Sequence, residues 1–501
     1  MRIDGERLVS LTGAAIAFGN PSGLSVDSVT SDSRSVRPGC AFVAIQGTRV
    51  DGHAFAAAAV QAGAAVIIGS RPLDPAVIGD VPELVVSDPR QALSVLAAEL
   101  AGNPTAGIEL TGVVGTDGKT STTLIIEAGL KGCGRTTGLL GTVQYRYAGK
   151  VIESSMTTPD PVTLQDLFAR MRDAGVDAAV MEVSSHAIDQ RRVESCRFKY
   201  GVFTNLGRDH LDYHVTLDAY REAKLRFFTE VLPSNPDAVG SVVNDDDPVS
   251  SMIRERSPLP VIGWTFGGCQ GSEIRLVKAE YSFDGTMFEV ETPWGRFEVR
   301  TSLIGRHNVA NIMAAIGVAG VAGLDIGRFI AGIAALTTIP GRLERVRPDA
   351  AVKVFVDYAH TPRAIESVLA ILGGIDGSAR LHVVCGAGGD RDRGKRPLMG
   401  AAAVMNADVA WITSDNPRSE DPSDIIGQIV DGIRQAEADG GSRARWEVEP
   451  DRREAIRKAI SGARHGDVVL IAGKGHENYQ ILKDRTIHFS DVEVAGEMLE
   501  R

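Results

Sequence analysis

The sequence predicts an α/β protein of three domains, with a mostly parallel sheet in the middle one. Three observations carry this. Apolar runs of strand length alternate with helical stretches along the chain. Proline and glycine break the alternation at Asn103-Pro104 to Gly107 and again at Thr338-Ile339-Pro340-Gly341. A length of 501 residues suits about three domains. The expected boundaries are 1–102, 103–339 and 340–501.

In the first block, Phe42–Ile45, Ala65–Ile68 and Leu84–Val86 read as short buried strands between alanine-rich helical stretches. Thr30 to Arg34 and Gln46 to His53 place hydroxyls, arginine and glycine beside those strands. Such groups suit a diphosphate or nucleoside, and loop or capping roles explain them equally well.

The second block opens with an apolar strand, Ile108 to Val114, then Gly115-Thr116-Asp117-Gly118-Lys119-Thr120-Ser121, then a helical stretch, Thr123 to Leu130. Strand, glycine loop and helix in that order make an anion site. Small residues let backbone N–H groups approach phosphate oxygens, and the helix start adds partial positive charge. Lys119 suits the β/γ-phosphates, and the Thr120 hydroxyl suits Mg²⁺. The loop is a tight G-T-x-G-K-T form, with Val113 where the longer pattern has glycine.

Three more buried strands, Ala178–Val183, Gly201–Asn205 and Ser241–Asn244, end in polar residues, where ligands collect on parallel sheets. Glu182 and His210 close neighbouring strands and are candidate Mg²⁺ ligands beside Thr120, although magnesium prefers oxygen to imidazole. His214 reads as an ordinary hydrogen-bonded histidine. Lys224, in a helix expected from Leu217 to Val231, reads locally as a solvated lysine. Residues 261–303 look like an antiparallel insertion. Gly305 to Asn311 then opens an alanine-rich helix on which Asn308 either caps or reads an adenine edge.

The third block is expected to be α/β again, with strands Val352–Val356, Leu381–Cys385, Val409–Ile412 and Val468–Ala472. Their ends carry Asp357 to Pro362, Gly386 to Pro397, Asp415-Asn416-Pro417-Arg418 and Gly473 to Glu477. Gly386 to Asp390 lacks dinucleotide spacing, because Arg391 stands where the third glycine would fall. Arginine and aspartate at four strand ends suit a zwitterion such as an amino acid.

Composition narrows the function. A net charge of −11 without a basic stripe argues against nucleic acid as a partner. Five scattered cysteines without C-x-x-C argue against a zinc site or disulfide framework. Asp4 and Glu6 argue against a signal peptide, and no run approaches the ~20 apolar residues of a membrane span. The expected location is the cytoplasm.

The phosphate loop, Met181 to His186, Asn205 to His214, Gly305-Arg306-His307-Asn308, Asp357 to Pro362 and Asp415 to Arg418 occur in one order over nearly the whole chain. In this the sequence resembles the Mur ligases of peptidoglycan synthesis, nearest to those that add the third residue of the stem peptide. The resemblance implies an N-terminal UDP-substrate domain, a central P-loop ATPase domain and a C-terminal Rossmann-like domain. It implies that ATP drives amide formation between a UDP-N-acetylmuramoyl dipeptide and meso-diaminopimelate, with Mg²⁺. An L-lysine-adding relative, another Mur or folylpolyglutamate-type ligase, and a non-enzymatic scaffold are the alternatives.

By the same resemblance, Gly115, Thr116, Asp117, Gly118, Lys119, Thr120, Ser121, Asn308, Arg342 and Asp357 contact ATP. Thr120, Glu182 and His210 hold metal. Lys224 is carbamylated by CO₂, which reverses its local reading. Ser33, Thr48, Arg49, Val50, Thr157, Thr158, Ser184, Gln190 and Arg192 contact the UDP-substrate. Arg391, Asp415, Asn416, Pro417, Arg418, Gly473 and Glu477 contact diaminopimelate. Asp117 departs from the family's usual asparagine, and Pro159 stiffens the Thr157-Thr158 loop.

Overall fold

The computed structural model of the protein describes residues 1–47, 50–442 and 444–500. Residues 1–275, 291–295 and 311–333 gather into one unit, and residues 276–290, 296–310 and 334–501 into a second.

The first unit holds two large sheets. The N-terminal one has strands Ala15–Phe18 (β1), Ser28–Thr30 (β2), Cys40–Val43 (β3), Val66–Gly69 (β4) and Glu83–Val85 (β5), in the order β1-β5-β4-β3-β2. All pairs are parallel except β1 with β5. β3 and β4 are buried along their whole length, which is why they read as unbroken apolar runs.

The second sheet carries the phosphate-loop motif. Its strands here are Glu109–Val114 (β6), Thr137–Leu140 (β7), Gln144–Tyr147 (β8), Lys150–Glu153 (β9), Ala178–Glu182 (β10), Phe198–Phe203 (β11), Gly240–Asn244 (β12) and Val261–Thr265 (β13). They run in the order β9-β8-β7-β10-β6-β11-β12-β13. β6 lies in parallel between β10 and β11, with Val113 opposite Glu182 and Val114 opposite Phe203. This register ends three strands at one level, so polar residues distant in sequence meet there. Behind them packs a core that includes Leu110, Phe168, Met181, Phe198, Phe203 and Phe227.

Two expectations are corrected here. β13, the start of the expected antiparallel insertion, pairs in parallel with β12, Ser241 opposite Val261. The helix Val249–Arg256 supplies the crossover that parallel pairing needs. The helix expected from Leu217 to Val231 stays α-helical only over Leu217–Arg226 and widens to a π-turn over Phe227–Val231. Phe227, Phe228 and Val231 are fully buried there, so core packing accompanies the local change in winding.

Strands Ile274–Ser282 (β14), Gly285–Thr292 (β15) and Gly295–Thr301 (β16) follow, neighbouring one another in that order, and the division between units falls within them.

The main sheet of the second unit comprises Glu344–Val346 (β17), Lys353–Asp357 (β18), Leu381–Cys385 (β19), Val409–Ile412 (β20), Arg445–Val448 (β21) and Val468–Ala472 (β22), in the order β17-β18-β22-β19-β20-β21. Only β17 is antiparallel. Successive residues of its strands feed two separate cores. Phe355, Val383 and Leu470 pack with helices Pro362–Ile375, Lys395–Asn406 and Pro422–Ala438. Val354, Val384 and Val469 pack with helices Arg452–Gly462 and Asp491–Leu499. Helices therefore cover both faces of a parallel sheet, the doubly wound arrangement.

Candidate active site

In the first unit, the loop after β6 turns into helix Lys119–Gly132. Gly118 makes the turn at φ +83°, and a Cβ there would lie 2.7 Å from Asn311 Oδ1. The Lys119 ammonium donates to the carbonyls of Gly115 and Thr116, both at 2.9 Å, which folds it back over its own loop. Asp117 is exposed, and its structural ties run through its backbone. Its N–H donates to Asn205 Oδ1 at 2.9 Å, and its carbonyl accepts from Thr204 Oγ1 at 2.6 Å.

Glu182, at the end of β10, is buried beside this loop. Its carboxylate accepts from Thr120 Oγ1 at 3.0 Å, Thr142 N at 2.7 Å and Thr142 Oγ1 at 3.1 Å. Thr120 and Glu182 thus offer adjacent hard oxygens, the donors magnesium takes. His210 is not part of that contact. Its half-exposed ring lies 3.5 Å from Asp209 and edge-on to His186, with centroids 4.8 Å apart. Among the described residues no group of three or more His, Cys, Asp or Glu side chains is gathered to hold a metal ion.

Lys224 lies on the helix Leu217–Arg226, buried, with its ammonium 4.3 Å from the centre of the Tyr220 ring. The local reading of a solvated lysine is wrong. Burial, and then the nearby charge of Lys119, hold its pKa well below the ordinary lysine value. His214 is buried and hydrogen-bonded to Ser185 Oγ at 2.9 Å. Burial pushes His186 down to about 4, and neighbouring His210 and His214 add to this.

Five of the expected UDP-substrate residues join one network. Thr158 Oγ1 donates to the Glu182 carbonyl at 2.9 Å and accepts from Ser184 N at 3.0 Å. Arg192 donates to the Thr158 carbonyl at 2.9 Å and to Gln190 Oε1 at 2.7 Å, and Thr157 shares a 3.0 Å hydrogen bond with Thr142. Ser33 opens a short 3-10 turn that follows β2 and is capped by Asp32. Val50 is exposed, and Thr48 and Arg49 lie outside the described residues.

In the second unit, Asp357 is buried at the end of β18 and accepts from Leu343 N at 2.7 Å and Ala359 N at 2.8 Å. Burial raises its pKa, partly offset by Arg342. The Arg342 guanidinium lies 4.9 Å from the centre of the Tyr358 ring. Asn308 turns its amide back to the Ile304 carbonyl at 2.9 Å.

A second cluster forms where β19, β20 and β22 end. Asn416 Nδ2 donates to Glu477 Oε2 at 2.8 Å, and the fully buried Lys474 donates to both Asn416 Oδ1 and Glu477 Oε2 at 3.3 Å. Arg418, at φ +53°, donates from Nη1 to the Gly389 carbonyl at 2.8 Å and from its backbone to the Ile481 carbonyl at 3.1 Å. It does not pair with Glu420, which is taken by Arg396 and Arg393. The Asp415 carboxylate faces Gly473, where a Cβ would lie 2.6 Å from Oδ2. Arg391 is exposed at the rim. At Gly389 a Cβ would overlap the Pro417 carbonyl oxygen, so the two loops meet backbone to backbone.

Sequence reasoning missed Thr142, Tyr220, Lys474 and Arg396. Lys474 was visible within Gly473-Lys474-Gly475-His476-Glu477. The other three became functional candidates only through their neighbours in space.

Models of known families match along the chain. The Mur ligase family catalytic domain covers residues 25–100, the Mur ligase middle domain 113–319, and the Mur ligase glutamate ligase domain 341–475. The UDP-N-acetylmuramoyl-L-alanyl-D-glutamate–2,6-diaminopimelate ligase of Geobacter metallireducens is 42% identical over 490 residues, 95% of this chain and 94% of that protein. The ligase of the same name from Geobacillus thermodenitrificans is 42% identical over 479 residues, 95% of each. A solved structure of a ligase of that name covers 100% of this chain and 99% of its own, with a TM-score of 0.73 and 31% identity.

Proposed function

The chain belongs to the Mur ligase family of ATP-dependent ligases, and from that premise we propose that it joins meso-diaminopimelate to UDP-N-acetylmuramoyl-L-alanyl-D-glutamate. The family has three domains, and the proposed boundaries are 1–102, 103–339 and 340–501. The reaction makes a peptidoglycan precursor and, because it needs ATP, belongs in the cytoplasm. No helix among the described residues is long and apolar enough to cross a membrane.

A carboxylate is a poor acyl donor, so the reaction runs in two displacements. A D-glutamyl carboxylate oxygen attacks the γ-phosphorus of ATP, the bridging P–O bond to ADP breaks, and an acyl phosphate forms. The amine of diaminopimelate then attacks the acyl carbon, loses a proton, and expels inorganic phosphate. The protein's part is positioning and charge neutralisation. Lys119 leaves the carbonyls of Gly115 and Thr116 for the phosphates as they arrive. Thr120 and Glu182 would hold Mg²⁺, with His210 as a further ligand, and the ion when bound neutralises phosphate charge. The lowered pKa of Lys224 favours a neutral amine, which adds to CO₂ with loss of a proton to give a carbamate anion. Thr157, Thr158, Ser184, Gln190 and Arg192 receive the UDP-substrate, together with Ser33, Thr48, Arg49 and Val50. Asn308, Arg342 and Asp357 take nucleotide roles.

The observation that carries the amino-acid assignment is the fixing of Arg418 beside the Asn416–Glu477–Lys474 cluster. Diaminopimelate differs from lysine by a carboxylate on the distal carbon, and a preset guanidinium is the side chain that reads a carboxylate by two-point contact. Glu477 supplies the opposite charge for the distal ammonium. The test is product mass spectrometry with the UDP-dipeptide, ATP and a panel of diamino acids, with kcat/KM for parent and Arg418→Ala. The parent is expected to prefer meso-diaminopimelate strongly and the variant to lose most of that preference. Equal use of L-lysine by the parent overturns the assignment.

A further inference from the structure

Arg396, on helix Lys395–Asn406, has a side chain with no exposed surface. A guanidinium removed from water must find acceptors in the protein. Its Nη1 donates to Glu420 Oε2 and Gln428 Oε1, both at 3.0 Å. Its Nη2 donates to Glu420 Oε1 at 2.8 Å and to the Gly388 carbonyl at 3.2 Å. One side chain therefore bridges the loop after β19 and the loop after β20. Glu420 Oε1 also accepts from Asp390 N at 2.6 Å, and the hydrogen bond from Arg396 helps hold its carboxyl at about 2. Beside this, Ser419 closes a second clasp, from Oγ to Asp390 Oδ1 at 2.6 Å and from N to Asp390 Oδ2 at 3.2 Å.

Arg418 directly precedes the two clasp residues, Ser419 and Glu420. Its backbone at φ +53° is a conformation that a non-glycine residue keeps only when its surroundings hold it, and Asp390 across the clasp shares the same φ. Arg418 Nη1 rests on the Gly389 carbonyl, one residue from the carbonyl that Arg396 holds.

We propose that Arg396, acting through Glu420 and the Gly388 carbonyl, is the positioning residue that presets Arg418 for the distal carboxylate of the diamino acid. The proposal rests on the amino-acid reading above and deepens it. Arg396 touches no substrate. It fixes the two loops so that Arg418 does not have to be ordered when the ligand binds, and the benefit falls on the amino-acid step alone.

The test uses the full-length chain. Arg396→Met, Arg396→Lys and Glu420→Gln are made in the parent and in the Arg418→Ala background. KM and kcat are measured for meso-diaminopimelate and L-lysine, KM for ATP and the UDP-dipeptide, and thermal melts report folding. Arg396→Met is expected to raise the meso-diaminopimelate KM by roughly tenfold, with the ATP and UDP-dipeptide KM values within about twofold of the parent. Arg396→Lys rescues little, because a compact ammonium cannot reach acceptors on both loops. In the Arg418→Ala background the added effect shrinks below about twofold, since the two residues act as one unit. An unchanged meso-diaminopimelate KM in a folded variant overturns the proposal. So does a penalty that persists without Arg418, or a parallel rise in all three KM values. Where Arg396→Met does not fold, Glu420→Gln is held to the same outcomes. A parent that does not prefer meso-diaminopimelate to lysine refutes the amino-acid reading and the proposal with it, and that failure is visible without any variant.

Discussion

The Lys224 ammonium faces the Tyr220 ring at 4.3 Å from a side chain that is only 1% exposed, and its pKa is pulled down by burial before any other influence. A lysine in this position is a poor cation and a good nucleophile. Carbamate formation would turn it into an anion at the place where Lys119 now repels it. Lys224→Ala is expected to be nearly inactive and partly rescued by short carboxylic acids, which refill the anionic slot, while Lys224→Arg stays inactive. A fully active Lys224→Arg ends the carbamate reading. Stability carries the same signature. The native pKa is lowered, so the unfolded chain binds the proton that the native chain releases, and without CO₂ stability rises with pH from the lowered native value up to the ordinary value of about 10.4. Lys224→Met should abolish that slope in chemical denaturation at several pH values in CO₂-free buffer.

Lys119 carries the only side-chain charge on the loop that can neutralise phosphate. Its ammonium donates to the carbonyls of Gly115 and Thr116, both at 2.9 Å, which keeps the charge over the loop where the phosphates would arrive. Lys119→Ala is expected to cut ligation by on the order of 10²–10³ or more, the cost of losing a preorganised charge at a transferring phosphoryl group. Near-normal product formation would remove the loop from the mechanism. The melting temperature is measured alongside, so that loss of product is told apart from loss of folding.

Asp117 is the loop's one carboxylate, it is exposed, and its contacts to Asn205 and Thr204 use the backbone. Asp117→Asn should therefore leave stability within about 0.5 kcal/mol of the parent. It also removes a negative charge from the phosphate approach, so the ATP KM should fall, most visibly at low salt. A higher ATP KM in the variant would show that the carboxylate assists binding.

Arg452 and Asp491 form an ion pair with both side chains at 0% exposure, at 2.7 Å, and Arg452 also donates to the Ala472 carbonyl at 3.0 Å. This contact ties helices Arg452–Gly462 and Asp491–Leu499 to the end of β22, one residue before Gly473. Asp491→Ala is expected to cost about 3–5 kcal/mol in urea unfolding, since it strands a buried guanidinium. Arg452→Met with Asp491→Leu should recover much of that loss, because apolar side chains of similar size need no partner. If the double variant is no more stable than Asp491→Ala, the pair contributes more than its own desolvation.

Much of this protein was legible in order along the chain. Strands buried on both faces, such as β3, β4 and β22, read as unbroken apolar runs because each side chain meets a core. The phosphate loop was legible because glycine, lysine and threonine must lie within a few residues to act together. The strand ends pointed to ligand clusters, since parallel strands finish on one edge whatever connects them. Reading failed where the deciding contact lay far away in sequence. Residues 261–265 pattern like any half-buried strand, and only the crossover helix before them makes their pairing parallel. The periodicity around Lys224 carries no sign of burial, because a helix records which faces are apolar but not how deeply each one sinks. Arg396 looked like one basic residue among several in Arg391 to Arg396. What distinguishes it is a fork filled by Glu420, Gln428 and the Gly388 carbonyl, up to 32 residues away. Sequence alone thus determined the fold class, the long buried strands, the phosphate loop and the family, which rest on local pattern and short motifs. Tertiary structure decided which charges are buried and what each one faces, because desolvation and hydrogen bonding depend on neighbours that only folding brings together.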